Sequence, residues 1–149
     1  MNDVEKDIYN LQRFVKAQEG IYEVVLGEIL DGQSKVPGIH FLFPKIKTVG
    51  LSPEAAFYAI SNYEEAEKYI NHPLLGKRLV ELSEALLSLE SNNPDVVMGS
   101  HVNALHLKSS MTLFEAAAPQ PEIFGKVLTK YFGGQKDYRT IDIIFPHCD

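Results

Sequence analysis

Five leucines, Leu75, Leu79, Leu82, Leu86 and Leu89, recur at spacings of four, three, four and three along a stretch that opens at His72-Pro73 and runs to Ser91. On an α-helix that rhythm draws a single apolar stripe, whereas a strand would scatter the same residues over both of its faces. A stripe of this length has to be covered by other elements, and its regularity suits a central helix packed on a neighbour at a shallow angle.

The rest of the chain supplies partners of the same kind. Val4, Ile8, Leu11 and Val15 form a stripe with Asp3 as its cap and Gly20 as its break, and Ile21, Val25 and Ile29 form another that stops at Asp31-Gly32. Ser52-Pro53-Glu54 opens a helix with a capping hydroxyl, a proline and an acid in the order a helix start favours. Asn62 and Glu65 have the spacing of a capping box. Val102 to Ala118 is apolar on several faces, as a buried helix is. Pro121-Glu122 starts a further helix through Ile123, Val127 and Tyr131, and Gly133-Gly134 stops it. Two stretches resist assignment. Ile39 to Phe43, bounded by Pro37 and Pro44, suits a short strand or a short buried helix equally, and Ile141 to Phe145 reads as a docking strand or a last helical turn. The expectation is an all-α, compact, multihelical bundle, one domain over residues 1–149, with minor irregular or extended segments near 35–50 and 140–146.

Composition narrows the function classes. The formal net charge is −6 and the 14 Lys and Arg residues are scattered, with Lys45 and Lys47 the densest group, so the basic footprint of a nucleic-acid binder is missing. Apolar runs are too short to span a bilayer. The segment Met1 to Lys6 lacks the charged and apolar regions of a secretory signal. A single cysteine, Cys148, cannot form an internal disulfide. These features point to the cytoplasm, with neither nucleic acid nor membrane as partner. Oligomeric state is open, because a self-associating face and a core stripe share one pattern.

The most unusual chemistry lies in Leu107-Lys108-Ser109-Ser110-Met111-Thr112-Leu113-Phe114, where Ser109, Ser110 and Thr112 fall within the most apolar helix. Such hydroxyls either return bonds to the preceding turn and let a neighbouring helix approach, or line a polar pocket. There is no Gly-x-Ser-x-Gly elbow to support a serine nucleophile. His101 and His106 are five apart, about 140° around a helix at roughly 100° per residue, which is poor chelate spacing. His40, His72 and His147 are distant in sequence, so no metal or other cofactor is expected and the histidines read as incidental. His72 before Pro73 reads as part of a turn between helices. The acids Glu64, Glu65 and Glu67, with Lys68 following, read as a solvated helix face.

Several blocks together resemble one family. They are Leu11-Gln12-Arg13-Phe14-Val15, Phe41-Leu42-Phe43-Pro44, Tyr58-Ala59-Ile60, His72-Pro73-Leu74-Leu75-Gly76-Lys77-Arg78-Leu79, the Ser109-to-Phe114 block and Lys130-Tyr131-Phe132-Gly133-Gly134. In this order they resemble domain of unknown function eighteen-ten, whose members often carry the label calpastatin. The resemblance implies a compact multihelical fold, tips the Pro37–Pro44 stretch towards helix, and brings no activity. The label itself is a poor guide, since calpain inhibitors are disordered charged chains and this composition, 45% hydrophobic, is that of a packed domain. The chain departs from the family pattern His-Trp-x-Trp-Phe-x-Phe-Pro-Gln at Pro37, Gly38, His40 and Lys45, and from its Asp and Lys at Asn103 and His106. The family's most chemically able positions are therefore replaced while its packing positions match.

Two functional expectations follow. One is a non-catalytic domain that binds a small polar ligand or a protein partner, with a groove or apolar patch near the Ser109, Ser110 and Thr112 helix. The other is an enzyme acting on a small polar metabolite, which requires His40, Arg78, Asn103, His106 and Ser109 to converge on one cavity.

Overall fold

The computed structural model describes residues 6–118 and 120–146. Within them the chain forms ten helices: α1 (Gln12–Gln18), α2 (Tyr22–Leu30), α3 (Ile39–Leu42), α4 (Pro53–Tyr58), α5 (Tyr63–Asn71), α6 (Leu75–Leu87), α7 (Pro94–Val97), α8 (His101–Ala117), α9 (Ile123–Phe132) and α10 (Tyr138–Ile144). Among the described residues there is no strand, only an isolated parallel bridge between Ile46 and Ile60. No helix among them is long and apolar enough to cross a membrane.

The leucine row does what its spacing demands. Leu75, Leu79, Leu82 and Leu86 are all buried on α6, which packs against α2, α5 and α9. Leu89 lies just past the helix end and is half-buried. The His72 imidazole caps the α6 start, its Nδ1 accepting from the amides of Leu74 at 3.1 Å and Leu75 at 3.2 Å. Gly76 lets α5 and α6 meet closely, since a Cβ there would fall 2.0 Å from the Ile70 carbonyl oxygen. The second organising helix is α8, the longest, which contacts α5, α7, α9 and α10. Ser100 caps it by accepting from the Asn103 amide at 3.1 Å. Its C-terminal half is buried through Met111, Leu113 and Phe114, whereas Val102 and Leu105 near its start are exposed.

The first helix starts later than the apolar stripe suggests. Asn10 takes a left-handed φ of 53°, which breaks the helical path between Ile8 and Leu11. The Asp7 carboxylate then caps the helix, accepting from the amides of Leu11 at 2.7 Å and Gln12 at 2.9 Å. Ile8, expected in the core, is 70% exposed; Asp3 and Val4 lie outside the described residues. The ambiguous 35–50 stretch divides: Ile39–Leu42 is one helical turn, and after Pro44 the chain is extended, with Lys47 N donating to the Ile60 carbonyl and Ile60 N to that of Lys45, both at 2.8 Å. In the 141–145 stretch the chain is helical to Ile144, the end of α10, which has Asp137 as its cap, and Phe145 lies just past it.

A buried ion pair ties the N-terminal half together. Arg13 uses all five of its N–H groups. Nε donates to the Phe57 carbonyl (2.7 Å), Nη1 to those of Tyr9 (2.5 Å) and Asn10 (2.9 Å), and Nη2 to Ala59 O (3.0 Å) and to the Glu65 carboxylate (2.8 Å). Glu65, 2% exposed, also accepts from the Ser61 amide and hydroxyl, while its own amide donates to Asn62 Oδ1. Asn62 therefore caps the helix as expected, the return bond of Glu65 goes to Ser61, one residue earlier, and Glu65 is not part of a solvated face. A lysine has three donors and no planar fork, so Arg13→Lys leaves carbonyls and a carboxylate unmatched. It is expected to cost at least about 2 kcal/mol in urea unfolding; a loss under about 0.5 kcal/mol would show that the network is incidental.

Candidate functional site

The helix α8 distributes its polar side chains to separate places. On one side Ser109 Oγ donates to Asp137 Oδ2 at 2.5 Å, Thr140 Oγ1 donates to the same oxygen at 2.8 Å, and Thr112 Oγ1 accepts from the Asp137 amide at 2.9 Å while donating to the Lys108 carbonyl at 2.8 Å. Burial works against the Asp137 charge, but the bonds from Ser109, Thr140 and the backbone amides of Arg139 and Thr140 outweigh it and hold the carboxyl below its usual range. Two of the three conspicuous hydroxyls thus anchor the start of α10. The third, Ser110 Oγ, is fully buried with no hydrogen-bond partner among the described residues.

Near the start of α8 the polar groups face the 35–45 segment. Asn103 Nδ2 donates to the carbonyls of Lys35 at 3.1 Å and Met98 at 3.0 Å, fastening that segment to α8. One turn later, His106 Nε2 donates to the Phe43 carbonyl at 2.8 Å, and its ring lies 5.3 Å from that of His40, centroid to centroid. Burial, then the nearby Lys45 charge, pushes the His106 pKa down to about 3 against the favourable bond to Phe43. The departures from the family pattern thus fall in one region: Pro37, Gly38, His40 and Lys45 border or belong to α3, and Asn103 and His106 face it.

Arg78 is elsewhere. From α6 its Nη1 donates to Gln18 Oε1 at 3.2 Å and its guanidinium lies over the Tyr22 ring. Gln18, 1% exposed, relays this to the Phe41 carbonyl at 2.8 Å and the Tyr69 hydroxyl at 3.2 Å. The Tyr22 hydroxyl in turn donates to Glu81. Of the five side chains expected to share a cavity, His40 and His106 meet, Asn103 lies one turn before His106 but is tied to backbone carbonyls, and Arg78 and Ser109 are held by partners in two other places. Gln18 carried no sequence signal, because a glutamine on an amphipathic helix looks like surface.

A concavity lies further along α8. An open cleft of about 680 Å³ between α8 and α9 is lined by residues that include Glu115, Glu122, Lys126, Thr129, Lys130 and Lys136. Lys136 pairs with Glu115 at 3.0 Å. Lys130 is turned to the end of α6, donating to the carbonyls of Leu87 and Leu89. Gly125 makes room for the acid: a Cβ there would fall 2.6 Å from the Glu115 carboxylate. Because Lys136 adjoins Asp137, the Ser109 and Thr112 bonds also set one lip of this cleft. In the sequence Glu122 marks only a helix start and Lys130 belongs to a family block, while Glu115, Lys126, Thr129 and Lys136 pass for solvated helix decoration. A smaller hollow of about 400 Å³ between α1 and α4 is lined in part by Arg13, Lys16 and Phe57. No group of three or more His, Cys, Asp or Glu side chains among the described residues is placed to hold a metal; His147 and Cys148 lie outside them.

The family model described as Protein of unknown function (DUF1810) matches residues 8–144. The chain belongs to this family. Among solved structures, the DUF1810 chain is similar to the conserved hypothetical protein Rv1873 from Mycobacterium tuberculosis, with 37% identity, a TM-score of 0.87, and coverage of 93% of this chain and 98% of that one. No curated protein matches it. The all-helical architecture and the family membership agree with what the motifs imply.

Two outcomes follow from these environments. Ser109→Ala is expected to destabilise the fold by about 1 kcal/mol, because Asp137 loses a donor, whereas Ser110→Ala is expected to be neutral or stabilising, because it removes an unmatched hydroxyl; thermal or urea unfolding of both variants checks the contrast. His106 sets a pH dependence. The unfolded chain takes up this proton near pH 6.5 and the folded chain only near pH 3, so its contribution to stability is intact above pH 6.5. It is lost on acidification at up to about 1.4 kcal/mol per pH unit. Urea midpoints between pH 7 and 4 should fall less steeply in His106→Gln, and parallel curves would contradict the assignment.

Proposed function

We propose that this DUF1810 protein is a non-catalytic cytoplasmic domain, a single unit over its whole length, that binds a small polar ligand in the α8–α9 cleft. The observation that carries the reading is the cleft itself. It offers about 680 Å³ of open space, it lies on the helix that bears Ser109, Ser110 and Thr112, and its walls mix cationic and anionic groups. Concave sites with a few fixed polar groups are where small molecules bind. Of the lysines here, Lys130 is spent on α6 carbonyls and Lys136 is shared with Glu115, which leaves Lys126 to meet a ligand anion. Acids and lysines together suit a compact ligand bearing both an acidic and a basic or donor group. Binding is favoured over catalysis because Ser109, Asn103 and Arg78 are each committed to a structural bond, and a reacting site needs groups free to converge on substrate. The cytoplasmic setting rests on the chain's single cysteine, which provides no internal disulfide.

A thermal-shift screen against polar metabolites tests the reading. A ligand at a hundred times its Kd stabilises the fold by about 2.7 kcal/mol, and Lys126→Glu is expected to abolish that shift while leaving the free protein's Tm within a degree or two. Absence of any hit, or a hit indifferent to Lys126→Glu, would overturn the assignment to this cleft; a hit only with protein partners would favour a docking surface instead.

A further inference from the structure

Away from the cleft, the rings of His40 and His106 stand with centroids 5.3 Å apart and planes inclined at 65°. His106 comes to this contact already oriented. Its Nε2–H is held by the Phe43 carbonyl at 2.8 Å, so Nδ1 carries the lone pair of the neutral ring. A metal-bound histidine is set up the same way, with its second nitrogen tied to a carbonyl or carboxylate that fixes tautomer and ring direction. Two imidazole nitrogens about 2.0–2.1 Å from one tetrahedral ion place their ring centroids about 5 Å apart, which is the separation found here. We propose that His40 and His106 form a two-histidine site for a divalent transition metal of the copper or zinc class.

Imidazole pairs favour these ions over magnesium or calcium, and copper(II) binds tightest along the first row. With no third carboxylate, thiol or imidazole grouped there among the described residues, water fills the other positions, so the ion is exchangeable and open to a further ligand. The charge of Lys45 reaches His106 and opposes a bound cation, which makes Lys45 a brake on affinity. The site shares no residue with the lining of the α8–α9 cleft, so it stands or falls apart from the ligand reading above.

Edge-to-face packing of two uncharged rings fits the same separation, and the two accounts diverge in solution. Copper(II) and zinc(II) are titrated into the full chain by calorimetry, with electron paramagnetic resonance on the copper form. The expected result is a single saturable site whose copper spectrum shows nitrogen coupling from imidazoles, weakened at least tenfold in His40→Phe. His40 is half-buried, so a phenyl ring preserves the packing; His40→Asn serves as a second variant should the first lose its fold. Lys45→Gln is expected to tighten binding by about threefold or more, as removal of a nearby like charge requires. Equal affinity in the wild type and the folded His40 variants, or a copper spectrum without histidine nitrogens, overturns the site and leaves ring packing as the whole role of the pair.

Discussion

The buried guanidinium of Arg13 is the constraint on which the N-terminal half depends. An unpaired charge in that position would cost several kcal/mol, so the three segments around it have to arrive in one arrangement: the turn before α1, the end of α4 and the start of α5. The turn before α1 hands over the carbonyls of Tyr9 and Asn10, the end of α4 those of Phe57 and Ala59, and the start of α5 the Glu65 carboxylate that balances the charge. Hydrophobic burial could be satisfied by several packings of short helices. The five-pronged demand of a single side chain is met by far fewer, so it specifies which packing is adopted.

The C-terminal half is organised by apolar rhythm more than by charge. Here α6 and α8 supply long faces, and α9 closes over both, with Phe124, Val127 and Leu128 in the core. Polar groups in this half are used as fasteners. Lys130 collects the loose carbonyls at the end of α6, Tyr131 donates to the Leu86 carbonyl, and burial pushes its hydroxyl up to about 12. Ser109 and Thr112 fasten α10 by its cap. A helix rich in hydroxyls is thus a device for attaching neighbours, and the cleft beside it is shaped by those attachments.

How much of this was legible depends on whether the signal was local. The α6 leucines, the caps at Ser52 and Asn62, the His72 turn and the stop at Gly133 are written within a few residues of where they act, and each is found in place. Where an outcome turned on a distant partner, the local pattern misled: Ile8 kept the helical spacing but lies beyond a left-handed Asn10, and Glu65 looked like surface until Arg13, fifty-two residues away, reached it. The four-residue α7 was missed because one turn has no periodicity to detect. For the site, the hydroxyls of α8 were conspicuous by being polar in an apolar helix. The cleft lysines were not conspicuous as such, since a lysine that faces a cleft and one that faces bulk water are spelled alike. The meeting of His40 with His106 required the α3 turn to be laid against α8, which no spacing along the chain could reveal.

The span of the Arg13 bonds has a kinetic consequence. They join residues 44, 46 and 52 apart, so closing them means closing long loops, and the entropy of closure delays them relative to contacts between sequence neighbours. The α8–α9 and α5–α6 hairpins, linked by short connections, are the natural early structures on the folding route. Contacts that close late govern how slowly a finished molecule comes apart more than how fast it assembles, and the guanidinium, which closes loops this long, is placed for such a latch.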